Sequence, residues 1–372
     1  MDTLNFSENL VRLRRDKKVT QGELADFIGV TKASVSKWEN HQSLPDILLL
    51  PKLAAFFDVS VDELLGYAPQ LGREQIQKIY HELSAQFAEE PFESVMVRCR
   101  EYVKKYYSCY SFLFQICVLW LNHFMLADQE EKKRGILEET LKICEHILKE
   151  CKDIHICNDT VILQSGIRLQ LGQVQEVIEV LEEVGNPYRL SQQSDAMLIQ
   201  AYQIAGENER ADAYTQISMY LHLISLIDSS MKYLEIHSED LERCEETIRR
   251  VDGIFELYGI TRLHGNSAAV FQLQSAMVFC IHEREAEALE RLESYVQVIE
   301  WMLTDENLSE HEDAYFDKIQ SWYEGCDLGA EAPRNKKTIL DSALVGLEHP
   351  IFEKISGTQE FQRLKKRLMK QD

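Results

Sequence analysis

VTQGELADFIGVTKASVSKWEN, residues 19–40, reads as two short helices joined by a tight turn. Leu24, Ala25, Ile28, Val30, Val35 and Trp38 are spaced to close one small core, and Gln21, Thr31, Lys32, Ser34, Ser36 and Lys37 are left outside it. That separation is how a helix-turn-helix offers its second helix to a major groove. Trp38 stands three residues after Val35 and is expected inside, since aromatic stacking on bases belongs mainly to readers of single strands.

Working outward, the flanking residues supply the caps of three more helices. A hydroxyl at Ser7 can accept from an unpaired backbone N–H and open a first helix that stops near Lys18. Thr20 with Glu23 has capping-box spacing, Gly29 suits a left-handed residue after the second helix, and Thr31 caps the third. Beyond a loop at 40–45, Pro45 and Asp46 begin a fourth helix with an apolar face of Ile47, Leu50, Leu53, Ala54 and Phe57. Ser60 and Glu63 open a short fifth helix that ends at Gly66.

Five helices with LRRDKKVTQGELADFIGV, then TKASVSKWEN, then LPDILLLPKLAAFFDVSVDELLG resemble the Cro/repressor-type (XRE-like, lambda-repressor-like) helix-turn-helix domain over residues 10–66. Two positions depart from its pattern. His41 stands where Gly is usual and Gly22 where Glu is usual. Position by position, the resemblance implies that Gln21 holds a phosphate and braces the recognition helix. It implies further that Lys32, Ala33, Ser36 and Lys37 face base edges, with Thr31, Ser34 and Asn40 on the sugar-phosphate backbone. Lysine is a good donor to guanine O6 and N7, and hydroxyls and amides near helix N-termini suit phosphate. Residue by residue the plainer reading stays open: Ser34 and Ser36 as solvated polar positions, Lys37 as a surface charge.

The whole chain of 372 residues carries a net charge of -22, which on its face opposes a nucleic-acid partner. The charge is uneven, however. Residues 10–40 hold seven Lys and Arg against four Asp and Glu, so a cationic face survives there and the acid belongs to the remainder. Nine cysteines form no CxxC pair and no zinc spacing, which predicts buried thiols of a cytoplasmic protein. Met1 opens no signal-peptide pattern, and the apolar run at 112–121 is about half a membrane span, so a buried helix is expected there and no membrane partner.

Residues 67–72 read as a linker between a DNA-binding head, 1–66, and a body, 73–372, and the body has helical periodicity almost throughout. Gly172 and Gly206 lie 34 residues apart, the tetratricopeptide period. With each glycine as an inter-helix turn, Val177 and Ala211 fall at the small position of a second helix, and Leu198 and Tyr202 at large positions of a first. Glu283 registers a third unit, with Ala276 and Phe279 before it and Ala288 and Leu292 after. Arg168 stands where a large aromatic is usual, and the stretch around Glu239 is hard to register. The body therefore resembles an α-solenoid of tetratricopeptide-like (TPR-like) helix pairs, a generic helical bundle being the alternative, and Lys365, Lys366 and Arg367 near the end are expected to form a solvated cap.

The expected fold is all-α. The joined parts resemble peptide-pheromone regulators. On that resemblance Gln193, Gln200 and Gln203 form an amide-bearing inner wall for a peptide or protein effector; ordinary exposed glutamines are the plainer reading. HExxH, a phosphate-cradling loop and GxSxG are absent from the sequence, and His81, His282 and His311 lack a third partner at useful spacing, so no enzyme and no cofactor is expected. The expectation is a homodimeric, sequence-specific regulator on a double-stranded DNA operator. The rival is a protein-interaction module, partner-binding or enzyme-inhibiting, whose head is secondary.

Overall fold

The computed structural model describes residues 5–67, 70–184, 194–304, 313–329 and 332–371, and every regular element among them is helical. The chain divides into two units, residues 1–72 with 102–112, and residues 73–101 with 113–372.

The first unit begins with α1 (Phe6–Asp16), α2 (Gln21–Ile28), α3 (Lys32–Glu39), α4 (Leu50–Phe57) and α5 (Val61–Leu65). Each boundary follows from local chemistry. Thr20 accepts from the Glu23 amide while Glu23 reaches back to the Thr20 amide, closing the capping box, and Gly29 ends α2 at φ 85°. Thr31 caps α3 through the Ser34 amide, and Ser60 caps α5 through the Glu63 amide. Phe6, Leu10, Leu24, Val35, Leu53 and Leu64 are fully buried and make one core with Trp38, which is 4% exposed. In the same unit Gln70 Nε2 donates to Ser108 O at 3.0 Å and the Leu71 amide to Cys109 Sγ at 3.4 Å. Residues 70–71 therefore have fixed partners, and 102–112, which the sequence reading assigned to the body, cluster with the head.

Two expectations for this unit fail. Ser7 is not a cap: α1 starts one residue earlier behind Asn5, and the Ser7 side chain is buried. Ile47 does not share the apolar face of the fourth helix. Asp46 accepts from the Leu48 amide and starts a separate 3-10 turn, Ile47–Leu49, which leaves Ile47 75% exposed.

The second unit comprises α6 (Arg73–Glu89), most of α7 (Phe92–Lys105) and α8 (Tyr110–His123), then α9 (Glu130–Glu150), α10 (Ile154–Gln170), α11 (Val174–Val184), α12 (Ser194–Ile204) and α13 (Asn208–Ile236). It continues through α14 (Leu241–Tyr258), α15 (Ile260–Leu263), α16 (Gly265–Ile281), α17 (Glu285–Met302), α18 (Ile319–Glu324), α19 (Lys336–Leu347) and α20 (Gln359–Leu368). The three registered turns have one geometry. Gly172, Gly206 and Glu283 have φ of 76°, 76° and 57°. Their amides donate to Leu169, Gln203 and Cys280, and the next amides to Arg168, Tyr202 and Phe279. This paired 5→2 and 6→1 pattern stops one helix and reverses the chain into the next. Five residues after each turn stand Val177, Ala211 and Ala288, all at most 5% exposed, because a small side chain lets two helices cross closely. Leu198 departs from the pattern, being 37% exposed.

α13 is 29 residues long and outruns a repeat, which is why the stretch after it resisted registration. Asp240 caps α14 there through the Arg243 amide. The closing basic run is also not simply solvated. Arg367 donates from Nε to Glu300 Oε1 at 3.0 Å and from Nη1 to Glu293, clamping α20 to α17; Lys365 pairs with Glu348 at 2.8 Å.

Most of α8 is apolar and buried, with Phe112, Leu113, Ile116, Cys117 and Trp120 inside, and no described helix is long and apolar enough to cross a membrane. All nine cysteines are free thiols, five buried and four half-buried. His123, at the end of α8, is fully buried, stacked 4.7 Å from Phe87, and donates from Nδ1 to Leu119 O at 2.8 Å. Burial, opposed by the Leu119 carbonyl and aided by the nearby Arg334 guanidinium, holds its imidazole down at about 4. Between roughly pH 6.5 and 4 the unfolded chain then binds a proton that the folded one refuses, so stability falls with pH. The body is expected to lose about 2–3 kcal/mol across that window. Urea unfolding at pH 7 and pH 4.5 checks this, with His123→Leu flattening the difference.

Candidate nucleic-acid interface

The eight residues of α3 separate cleanly by angle. At 100° per residue Lys32, Ser36, Asn40, Ala33 and Lys37 fall within an arc of about 140°, opposite Val35 and Trp38. The structure follows that division: Val35 is fully buried and Trp38 nearly so, while Lys32, Ala33, Lys37 and Asn40 are exposed and Ser36 is half-exposed. Lys32 and Lys37 have no carboxylate partner among the described residues, so their charge is available to an outside anion.

The remaining polar residues organise the helix. Thr31 Oγ1 lies 2.9 Å from Ser34 Oγ and accepts from the Ser34 amide at 3.1 Å. Asn40 Nδ2 donates to Ser36 O at 2.8 Å, closing the last turn. Gln21 donates from Nε2 to Glu39 Oε2 at 2.9 Å, which joins the start of α2 to the end of α3 and engages the amide nitrogen expected on phosphate.

Glu39 is the centre of that junction, and the sequence reading missed it. Arg14 of α1 donates Nε to Glu39 Oε1 at 2.5 Å and Nη2 to Oε2 at 3.0 Å, with Nη1 on Val19 O at 3.0 Å. The two side chains are 15% and 6% exposed. Burial raises the Glu39 carboxyl, but the hydrogen bonds from Arg14 and Gln21 outweigh it and hold the group below its usual range. One carboxylate thus fixes α3 to both preceding helices. It also removes Arg14 from the cationic face, as Lys17 is removed by lying 4.7 Å over the Phe56 ring.

His41, the departure from the family pattern, adopts φ 58°. Its amide donates to Trp38 O at 3.4 Å and that of Gln42 to Lys37 O at 2.9 Å, so α3 ends in the left-handed cap that glycine favours. His41→Gly is expected to stabilise the head by about 0.5–1 kcal/mol, read as a rise in the protection of α3 amides against hydrogen exchange.

Of the other singled-out residues, Gln200 and Gln203 lie one turn apart on α12, both exposed; Gln193 lies outside the described residues. His81 and His282 are half-buried, their Nε2 atoms meeting Leu328 O at 3.1 Å and Ser238 O at 2.8 Å. His311 lies outside the described residues.

Residues 10–64 match the family model Helix-turn-helix (HTH_3). The head is a helix-turn-helix domain. Over it the chain is 34% identical to the HTH-type transcriptional activator BcrR of Enterococcus faecalis across 84 residues, 21% of this chain and 41% of that protein. It is 40% identical to the uncharacterized HTH-type transcriptional regulator YqaE of Bacillus subtilis across 60 residues, 16% and 52% of the two chains. It is 35% identical to the cryptic phage CTXphi transcriptional repressor RstR of Vibrio cholerae across 63, 17% and 56%. The chain spans about half the length of the curated relatives it matches. Among solved structures, Bacillus thuringiensis PlcR in complex with the peptide PapR7 and DNA aligns at 15% identity and a TM-score of 0.26, over 80% of this chain and 95% of that one. A superposition that loose leaves the description of the body to its own residues.

Proposed function

We propose that the chain is a sequence-specific regulator of transcription whose α3 reads double-stranded DNA in the major groove. The observation that carries this is the outward face of α3, where Lys32 and Lys37 stand exposed and free of carboxylate partners, with Ala33 and Ser36 between them and the buried Val35 and Trp38 behind. Lys32, Ala33, Ser36 and Lys37 are assigned to base edges. Gln21, Thr31, Ser34 and Asn40 are assigned to the backbone, Gln21 through the second N–H of its side-chain amide, the first being its brace on Glu39. Relatives named as a transcriptional activator and a repressor support the class and leave the sign of regulation open.

One head of this size buries too little surface to specify an operator, so the working unit is a homodimer on two half-sites about one helical turn apart. The body, in this reading, holds the two heads together and carries effector contacts, with the exposed amides of α12 as one surface for a peptide. Selecting bound fragments from the source genome tests the proposal. A small set of sites with paired half-sites about 10 bp apart is expected; binding that is uniform over sequence overturns it.

A further inference from the structure

A cavity of about 560 Å³ opens within the second unit, between α16, α17, α19 and the segment 332–335. Its size falls in the range of small-molecule sites. The walls are largely aliphatic: Val270, Leu273, Ile299, Met302 and Ile339. Although the chain has 62 acidic residues against 40 basic ones, none of the residues lining this cavity is Asp or Glu.

Arg334 brings the charge. Its side chain reaches only Asn122, Nε donating to Oδ1 at 3.4 Å, and it meets no carboxylate among the described residues. Both terminal nitrogens of the fork are thus uncommitted on the wall of an apolar space. A guanidinium so placed matches the geometry of a carboxylate and gains most from one where water is scarce. The other basic side chain on the wall, His264, is kept below its usual range by burial and adds no charge. One positive charge suits a monoanion better than a phosphate.

We infer that this cavity binds a small amphipathic carboxylate, its anion paired with the Arg334 fork and its apolar body against Val270, Leu273 and Ile299. The site is separate from the face of α3 and from the glutamines of α12, and it stands whether or not the head binds DNA. Two sources share this chemistry, a medium-chain fatty acid and the C-terminus of an apolar peptide, and the arms of the test separate them.

The full-length protein is titrated calorimetrically, without DNA, with octanoate and with octanol, and with an N-acetylated apolar tripeptide as free acid and as amide. At least one acid is expected to bind saturably at one per chain, its neutral counterpart at least tenfold weaker. The tighter of the two acids identifies the source. Arg334→Gln is expected to weaken the acid at least tenfold and leave the neutral ligand unchanged, with Arg334→Lys in between. No saturable binding by either acid, or equal binding of acid and neutral counterpart, overturns the inference. The comparison of acid with neutral ligand needs only the unmodified chain, so it decides the matter even if Arg334→Gln does not fold. A negative result here leaves the DNA reading untouched, since genomic selection measures a different surface.

Discussion

Arg14→Met is expected to destabilise the head by about 3–5 kcal/mol, a large part of what a small domain possesses. The substitution keeps the aliphatic volume and removes the one cation among the described residues bonded to Glu39, whose side chain is 6% exposed. Gln21 remains as a donor but cannot balance a buried charge. The pH dependence should change sign with the mutation. In the unmodified chain the Glu39 carboxyl lies below its ordinary value, so its contribution is complete above about pH 4.5 and is lost as pH falls through the depressed value. Without Arg14, the burial that raises Glu39 is opposed only by the Gln21 hydrogen bond and the charge of Arg15, so the carboxyl moves up and acid relieves the variant of a charge it cannot satisfy. Adding Glu39→Leu should recover most of the loss, because a buried pair exchanged for apolar side chains costs far less than one broken in half. Hydrogen exchange of α1 and α3 peptides in the full-length protein measures both variants against the unmodified chain. Equal protection in Arg14→Met and the unmodified chain would show that the pair contributes nothing.

Lys32→Ala combined with Lys37→Ala is expected to weaken operator binding by about 2–4 kcal/mol, some thirtyfold to a thousandfold. The slope of log affinity against log salt should fall by about 2 if both ammonium groups displace counterions from phosphate. If they donate to guanine instead, affinity falls on the preferred sequence and less on others. Stability should stay within about 0.5 kcal/mol, since both side chains are exposed and unpaired. Fluorescence anisotropy over a salt series distinguishes these outcomes; unchanged affinity and slope would remove α3 from the interface.

What could be read from the residues alone was what is decided within one turn of chain. The Thr20–Glu23 box, Gly29, Thr31, Ser60 and Gly66 are all settled by neighbours three to five positions away, and each stands where its chemistry puts it. The same holds for the turns at Gly172, Gly206 and Glu283, the last through its place in the pattern despite the strain of a left-handed glutamate. Ser7 and Ile47 show the limit of that logic. Asn5, two positions before Ser7, precedes the first turn of α1, and Asp46 started a shorter turn than expected. Contacts that join distant residues leave no periodic trace. Arg14 and Glu39 are 25 positions apart, and Arg367 and Glu300 are 67. Arg14 and Arg367 both read as ordinary surface cations in isolation, and Arg334 differs from them only in what surrounds it.

The junction at Glu39 limits how this protein can be controlled. Because α3 is pinned to α1 and α2 at its far end, the reading helix cannot swivel by itself without first surrendering several kilocalories per mole. A signal of ordinary strength, about 1–3 kcal/mol, is too weak to unfasten it. On the proposed dimer, control would then leave each head undeformed and act on how many heads reach the duplex together, or on the distance between them. Footprints taken with and without a signal should then agree within each half-site and differ only in whether both halves are filled.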